Sequence, residues 1–485
     1  MNQTGLWYDG IGIYTGRVAC MTNQSRMPLV EALQNHINKD TISFHVPGHK
    51  NGQLSEGQAV NLLKYDVTEL TGLDDLHAPS EAIMEAQGLL AAHYQTKKSY
   101  FLVNGSTVGN LAMILGSSEN GDIVFVQRNC HKSILNGLKL ANVRPVFLHP
   151  EMDARTSTAA GISRETFAEA LEKYPGVKTV ILTYPTYYGM VYELQSIIET
   201  AHVHGVKVLI DEAHGAHFSR GRFFPSSSLT WGADAVVHSA HKTLPAMTMG
   251  SFLHIQNDNI DVLKVEHYLG MLQSSSPSYP IMGSLDSARH YLASYSSEDA
   301  DFFSRERERF ITSLRETGFE VIEADDPLKL LVRFQGLSGF QLQEQLEERG
   351  IYAELADPYQ VLFILPLLKK GSPFPFERAA EKLKGISPAK GTGSYASFKK
   401  KKKITALNVS YKEIDKRMKK WISIEEAAGE TAGEVLIPYP PGIPLFYPGE
   451  EITEEAIVEL KWWMDHGAKF QGGHLLNEGK ICVIE

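Results

Sequence analysis

Short apolar runs rich in β-branched residues alternate with amphipathic helical patterns between residues 100 and 254 of this 485-residue chain. Runs that are apolar almost throughout are typical of strands in a mostly parallel sheet covered on both faces. Helices between such strands form right-handed crossovers on the two faces. The alternation therefore predicts an α/β fold around a mostly parallel, seven-stranded sheet. Its predicted strands are Tyr100–Val103, Ile123–Gln127, Pro145–Leu148, Thr179–Thr183, Lys207–Asp211, Ala235–Ser239 and Ser251–His254, and the helices between them include Val108–Leu115, Ser133–Ala141, Ser163–Tyr174 and Leu194–His204.

The pattern changes near residue 304, and the chain is too long for one hydrophobic core. Charged helical stretches then alternate with short strands, which predicts a separate, smaller α+β domain. Its predicted elements are Arg305–Thr317, Lys329–Phe334, Phe340–Arg349, Val361–Pro366 and Phe376–Leu383. We expect an N-terminal arm over residues 1–45, a large domain over 46–303, the small domain over 304–405, and a C-terminal segment over 406–485 with a Pro-rich loop and a helix from Glu454 to His466.

Charge and cysteine content narrow the class of protein. A net charge of -10 argues against nucleic-acid binding, which usually needs a basic surface. The three cysteines, Cys20, Cys130 and Cys482, form no CxxC pair, so neither a disulfide framework nor a cysteine zinc site is indicated. No apolar run approaches the ~20 residues that span a bilayer. We expect a cytoplasmic protein that acts on a small molecule and not on nucleic acid or a membrane.

A first polar motif, Asn104-Gly105-Ser106-Thr107, follows a predicted strand and opens a helix. Hydroxyls and backbone N–H groups at a helix N-terminus can hold a phosphate. The same residue types also favour a plain N-cap, so this motif alone leaves both interpretations open. It lacks the Gly-Lys-Ser/Thr of a nucleotide-binding P-loop.

Two further motifs follow later strands. Asp211 ends an apolar strand, where it could pair with a protonated pyridine nitrogen, cap a helix or bind magnesium. Lys242, in Ser239-Ala240-His241-Lys242, is placed to form an imine, although a lysine after a strand is more often a solvated surface residue. The ordered combination of a phosphate motif, an acid and a lysine in one α/β domain indicates a pyridoxal-5′-phosphate (PLP) enzyme.

The sequence resembles the class-I Orn/Lys/Arg decarboxylases, which have the aspartate-aminotransferase fold (PLP fold type I). The resemblance covers about residues 28–450, and the motifs that carry it are Ser43–Lys50, Leu73–His77, Asn104–Asn110, Arg128–Ser133, Asp211–His214, Ser239–Gly250 and Pro438–Gly442. The chain is similar to the short bacterial members. It has no room for the N-terminal wing that long members use to build large rings, so a decamer is not expected.

The resemblance implies a role for each matching residue. Lys242 would hold the cofactor as a Schiff base, Asp211 would pair with the ring nitrogen, and His241 would lie beside the reacting carbon. The remaining cofactor contacts implied are Ser106, Thr107 and Ser239 at the phosphate, His131 stacked on the ring, and Ala213 and His214 close to the ring. Glu450 resembles the acidic residue that receives the distal cation of a basic amino acid.

Several alternatives stay open from the sequence. A fold-type-I aminotransferase or aldolase would use the same lysine and aspartate but would add an arginine for the α-carboxylate. A PLP- or polyamine-binding protein without turnover is the non-enzymatic alternative. A metal site at His45/His49 or His214/His217 is not expected, because Pro47 and Gly48 keep the first pair off a regular helix. Arginine is favoured as substrate over lysine and ornithine, and a homodimer or dimer of dimers is expected.

Overall fold

The computed structural model describes residues 23–39, 60–221, 223–372, 374–387, 403–439 and 443–485. The Ser43–Lys50 motif and Pro440–Gly442 lie outside these residues. In chain order the strands are β1 Lys98–Leu102, β2 Ile123–Gln127, β3 Arg144–Leu148, β4 Met152–Asp153, β5 Thr158–Ala159, β6 Val177–Thr183, β7 Lys207–Asp211, β8 Ala235–His238, β9 Ser251–Ile255, β10 Phe319–Glu323, β11 Lys329–Phe334, β12 Leu355–Ala356, β13 Val361–Ile364, β14 Ile404–Ala406, β15 Lys419–Ser423, β16 Thr431–Ala432, β17 Leu436–Tyr439, β18 Lys469–Gly472 and β19 Lys480–Ile484.

The α-helices lie mostly between these strands. They are α1 Pro28–Ile37, α2 Val60–Leu63, α3 Ala82–Tyr94, α4 Gly105–Ser117, α5 Lys132–Ala141, α6 Arg164–Lys173, α7 Leu194–Val203, α8 Ala240–Thr243, α9 Val262–Leu272, α10 Tyr279–Ala293, α11 Ser297–Glu316, α12 Gly339–Glu348, α13 Phe376–Leu383, α14 Tyr411–Ile414 and α15 Glu454–Asp465. In the part of the chain that the structure describes, no helix is both long and apolar enough to cross a membrane.

The large sheet has eight strands in the order β1-β9-β8-β7-β6-β2-β3-β14. All seven predicted strands are present, each within two residues of its predicted bounds. Strands β3, β2, β6, β7 and β8 pair in parallel, whereas β9 is antiparallel to both of its neighbours. The strand count of seven was wrong, because β14 adds an antiparallel edge strand beside β3. A three-residue strand is too short to show a period, and it joins the sheet from far along the chain.

The small sheet is antiparallel, in the order β10-β11-β13-β12. It includes the predicted strand Lys329–Phe334, whose bounds agree with the structure, and α11 and α13 pack together beside it. The C-terminal residues form a three-stranded sheet, β15-β19-β16, and the pair β17-β18. The boundary predicted at residue 405 falls inside β14 of the large sheet, and the division into four parts stays a prediction.

The entry into α4 places the phosphate motif at the edge of the large sheet. Gly105 begins this helix directly after β1, with a φ of +78° that favours glycine. Its N–H donates a hydrogen bond of 3.0 Å to the carbonyl of Met249, just before β9. The helix then packs closely on the sheet at Gly109, where an added Cβ would lie 2.7 Å from Leu102 Cδ1 and 3.0 Å from Val237 Cγ2.

This close approach predicts opposite effects at two helical glycines. Gly109→Ala should lower the free energy of unfolding by about 1–3 kcal/mol, because the methyl group overpacks the α4–sheet contact. Gly270→Ala at an exposed position of α9 is the matched control, since nothing lies within 4 Å of its Cβ position. Better helix propensity there should raise stability by about 0.5–1 kcal/mol. Thermal denaturation of both variants checks this, and shifts of the same sign would contradict it.

Candidate active site

Polar residues that follow β1 and β8 meet at the carboxyl edge of the large sheet. Ser239, directly after β8, donates its hydroxyl hydrogen to Ser106 Oγ at 2.7 Å. Ser106 lies in the first turn of α4, and Thr107 is exposed in the same turn. Two hydroxyls from separate elements thus converge at the N-terminus of a 13-residue helix. Such a cradle suits a phosphate group.

Lys242 lies beside this cradle, one turn beyond Ser239. Its Nζ is 3.0 Å from His214 Nε2. Burial lowers the pKa of Lys242, while the negative charges of Asp211 and Glu354 act in the opposite sense. Burial, aided by the charges of Lys242 and Lys329, holds the pKa of His214 well below its usual value. His214 is therefore neutral and accepts a hydrogen bond from Lys242.

Asp211 ends β7 as a buried carboxylate with defined partners. Asn110 Nδ2 donates to Asp211 Oδ2 at 3.0 Å, and the N–H of Ala213 donates to Oδ1 at 3.2 Å. The same amide nitrogen of Asn110 donates to Ser133 Oγ at 2.9 Å. Asn110 and Ser133 had been given no role from the sequence. Their positions in the sequence could have identified them, because Asn110 is one helical turn after Ser106 and Ser133 is two residues after His131.

His131 is fixed at one ring nitrogen and exposed elsewhere. It caps α5, and its Nδ1 accepts hydrogen bonds from the Ser133 hydroxyl at 2.8 Å and the Ser133 N–H at 3.2 Å. An accepting Nδ1 places the ring proton on Nε2. An exposed imidazole held in this way is suited to stacking on a planar ring, and that role of His131 stays a prediction.

His241 takes the opposite tautomer. Its Nδ1 lies 3.0 Å from the carbonyl of Gly250, which accepts the Nδ1 proton, and its backbone N–H donates to the same oxygen at 3.1 Å. Burial lowers the pKa of His241, and Gly250 and Glu354 act against this effect. A neutral His241 therefore presents an unprotonated Nε2.

Glu212, next to Asp211, belongs to a different buried network. Its Oε2 accepts hydrogen bonds from the N–H and hydroxyl of Ser228, and its Oε1 lies 3.0 Å from His238 Nε2. His238 Nδ1 contacts His254 Nε2 at 3.0 Å, and His254 Nδ1 contacts Ser99 Oγ at 2.7 Å. Consecutive carboxylates thus have separate functions: Asp211 faces the site, and Glu212 anchors the sheet interior.

Glu450 is not brought into contact with Lys242. Its Oε2 accepts hydrogen bonds from Arg128 Nη2 at 2.7 Å and from the N–H of Tyr447 at 2.8 Å. Both members of this ion pair are buried, and the Arg128 guanidinium lies over the Phe147 ring at 4.9 Å. One carboxylate oxygen is therefore already engaged within the chain. The substrate role of Glu450 stays a prediction.

The two histidines of the alternative metal motif have different partners. His214 contacts Lys242, whereas His217 Nε2 lies 2.9 Å from Asp326 Oδ1. Within the described ranges, no three His, Cys, Asp or Glu side chains are arranged to hold a metal ion. His45 and His49 lie outside those ranges.

Three residues of the site had no signal in the local sequence. The ring of Tyr187, from the loop after β6, packs edge-on against His214 at 4.7 Å. Lys329, from the small domain, is fully buried and donates from Nζ to the carbonyl of Tyr187 at 2.6 Å. Burial lowers the pKa of Lys329 to about 7. Glu354, also from the small domain, accepts a hydrogen bond from the Tyr187 hydroxyl at 2.6 Å.

The space beside Lys242 is lined mainly by carbon. A cavity of about 370 Å³ opens between the large and small domains. Its lining is Lys242, Thr243, Leu244, Pro245, Tyr291, Ile364–Leu368 and Phe374. The low polarity of these walls agrees with the lowered pKa of Lys242.

The residues present fit pyridoxal phosphate. The site combines an amine at Lys242, a buried carboxylate at Asp211, and a hydroxyl cradle at Ser106 and Ser239. The Nδ1 of buried His214 has no hydrogen-bond partner among the described residues, which leaves a donor for a group that the chain does not itself supply. Phosphate, pyridine nitrogen and aldehyde each have a complementary side chain here.

Comparison with solved structures supports the predicted fold. The chain is similar to the lysine decarboxylase of Francisella novicida, with a TM-score of 0.76 and 19% sequence identity. The similarity covers 94% of this chain and 80% of that one. At this level of identity the likeness establishes the fold, which is the α/β architecture predicted from the sequence.

Comparison with sequences establishes the family. Residues 27–305 match the major domain of the Orn/Lys/Arg decarboxylases, and residues 393–472 match their C-terminal domain. The chain is 44% identical to the uncharacterized protein YaaO of Bacillus subtilis, over 94% of this chain and 98% of that protein. It is 32% identical to the arginine decarboxylase of the same organism, over 93% and 96% of the two chains. The chain therefore belongs to the Orn/Lys/Arg decarboxylase family, and the predictions of a decarboxylase with pyridoxal phosphate as cofactor are confirmed.

Proposed function

We propose that this enzyme decarboxylates L-arginine and releases the corresponding amine and CO₂. The observation that carries the choice of arginine is the relative at 32% identity named an arginine decarboxylase, since a relative named a constitutive lysine decarboxylase is only 23% identical. The reaction consumes one proton for each carboxylate lost. It would thus serve either the supply of polyamine precursors or the removal of acid.

The residues at the sheet edge divide the tasks of this reaction. Lys242 would hold the cofactor through its amine, and Ser106 and Ser239 would bind its phosphate. Pyridoxal phosphate, when bound, supplies a conjugated ring that accepts the electron pair left by the departing carboxylate. Asp211 would keep the ring nitrogen protonated, and Asn110 holds that carboxylate in place at 3.0 Å.

Proton handling falls to Lys242 and the histidines. Burial lowers the pKa of Lys242, so its amine gives up a proton more readily than a solvated lysine does. His214 Nε2, 3.0 Å away, accepts a hydrogen bond from that amine. The proton delivered to the substrate Cα would come from Lys242 Nζ, or from His241 after its free Nε2 has first taken up a proton. The carbon-lined cavity favours loss of the charged carboxylate, because the substrate charge is less well solvated there than in water.

A product assay tests the choice of substrate. Arginine, lysine and ornithine should each be incubated with the enzyme and pyridoxal phosphate but without a 2-oxo acid, and amine and CO₂ measured. We expect kcat/KM to be highest for arginine. Lys242→Ala is the control, and should abolish amine release because it removes the reactive amine. Preference for lysine or ornithine would overturn the choice of arginine but leave the decarboxylase class intact.

Replacement of Asp211 tests the assignment of the ring partner. Asp211→Ala should still bind pyridoxal phosphate, and borohydride reduction followed by peptide mapping should find the label on Lys242. Its kcat should fall by several orders of magnitude, each factor of ten being ~1.4 kcal/mol of lost transition-state stabilisation. Near-normal kcat would make Asp211 purely structural. A label on Lys132 or Lys329 would overturn the assignment of Lys242.

We infer that the active unit is a homodimer or a dimer of dimers. Exposed apolar side chains support this: Met247 and Met249 follow Lys242, and Leu263 and Met271 lie on α9 with exposed fractions of 77% and 65%. Exposed apolar surface is a common feature of subunit interfaces. Sedimentation velocity should show a dimer or larger species, with activity falling as the protein is diluted to monomer. A fully active monomer would contradict the inference.

A further inference from the structure

Glu450, which the resemblance assigns to the substrate's distal cation, and Asp74 are both already engaged within the chain. Glu450 Oε2 accepts hydrogen bonds from buried Arg128 and from the N–H of Tyr447. Asp74 caps the N-terminus of α3: its Oδ1 accepts from Asp75 and Ser80, and its Oδ2 from Glu81, Ile83 and Met84, all of them backbone N–H groups. Neither carboxylate can take a guanidinium on both oxygens without breaking existing bonds.

Glu354 is a third carboxylate, and it contacts Tyr187, whose ring packs against His214 of the site. It precedes β12 in the small domain, and its N–H donates to the carbonyl of Leu362 at 2.9 Å, which fixes its backbone. Its side chain is exposed, and its Oε1 accepts a hydrogen bond from the Tyr187 hydroxyl at 2.6 Å. Among the described residues, no lysine or arginine forms an ion pair with Glu354 within 4.0 Å.

Tyr187 holds this carboxylate at a defined distance from the reactive amine. Its ring packs against His214 at 4.7 Å, and its carbonyl accepts from buried Lys329 at 2.6 Å. Lys242 Nζ lies 5.9 Å from the centre of the same ring. The two contacts together limit the separation of Lys242 Nζ and Glu354 Oε1 to about 11 Å. An extended arginine and one hydrogen bond span on the order of 10 Å.

The charge of Glu354 is felt at the reacting groups. It raises the pKa of Lys242, His241 and Lys329 against the effect of burial. The carboxylate is therefore near enough to stabilise a cation in the site. Because the Tyr187 hydroxyl is the one hydrogen-bond donor to its side chain within the described ranges, it retains capacity to accept from a guanidinium or ammonium group.

We infer that Glu354 binds the distal cationic group of the substrate, with Tyr187 as its positioning residue. The inference rests on the proposed decarboxylation of a basic amino acid. Glu354 would then be a residue of the small domain that determines substrate specificity. The α-amine of the substrate takes up the position near Lys242, and its side chain extends past Tyr187 towards Glu354.

Glu354→Gln tests this role. Loss of a charge-assisted hydrogen bond should raise KM for arginine roughly 10- to 100-fold while kcat changes less. Tyr187→Phe keeps the ring against His214 but removes the hydroxyl that holds Glu354, so it should raise KM by a smaller factor. Glu347→Gln is the matched control, since Glu347 is an exposed glutamate on α12 of the same domain, and should leave KM unchanged. Binding of the product amine, followed by the visible absorbance of the bound cofactor, gives an affinity independent of turnover.

Each outcome decides the inference. Weaker binding of both substrate and product amine in Glu354→Gln, with Glu347→Gln unchanged, supports it. An unchanged KM and product affinity in Glu354→Gln would overturn it, and a raised KM in Glu450→Gln instead would return the role to Glu450. If wild-type enzyme turns over no basic amino acid, the proposed function fails instead. A lysine-specific enzyme would leave the Glu354 inference standing, because an ammonium group needs the same charge.

Discussion

A sheet covered on both faces leaves polar side chains few places to meet other than the edge where its strands end. The central residues of β7, β8 and β9 are buried, so an unpaired carboxylate or lysine among them would face a dry core. The chain places Ser106, Asp211 and Lys242 just at or beyond strand ends instead. Parallel strands bring those ends to one edge, and the chemistry of the site depends on that arrangement.

At this edge of the sheet, burial and nearby negative charges have opposite effects on the pKa of buried lysines. Burial lowers the pKa of Lys242 and Lys329, whose Nζ atoms lie 5.9 and 5.8 Å from the same Tyr187 ring. Asp211 and Glu354 oppose the effect on Lys242. Because Lys329 and Glu354 come from the small domain, that domain sets part of the electrostatic environment of an amine carried by the large one. The electrostatic environment of Lys242 therefore depends on residues that lie far from it in the sequence.

The features that the sequence predicted well are those that depend on neighbouring residues, and the features that it missed depend on contacts between residues far apart in the chain. Strands such as Lys207–Asp211 were predicted with their bounds, because an apolar run between turns is a local signal. Strand β14 was missed, since three residues carry no period and their pairing with β3 bridges more than 250 positions. Glu354 gave no signal, because only tertiary contact brings it to Tyr187. The engagement of Glu450 by Arg128 was hidden for the same reason.

The hydrogen bonds of the network around Glu212 all run in one donor-to-acceptor direction. In the tautomer that carries its proton on Nε2, His238 donates to Glu212 and offers only a lone pair at Nδ1. His254 must then donate from Nε2 and accept at Nδ1 from the hydroxyl of Ser99. Burial, which holds the pKa of His254 well below its usual value, keeps that ring neutral. The Glu212 carboxylate thus sets the donor and acceptor of each successive hydrogen bond across three strands. Protonation of Glu212 would reverse the direction of this whole series of hydrogen bonds.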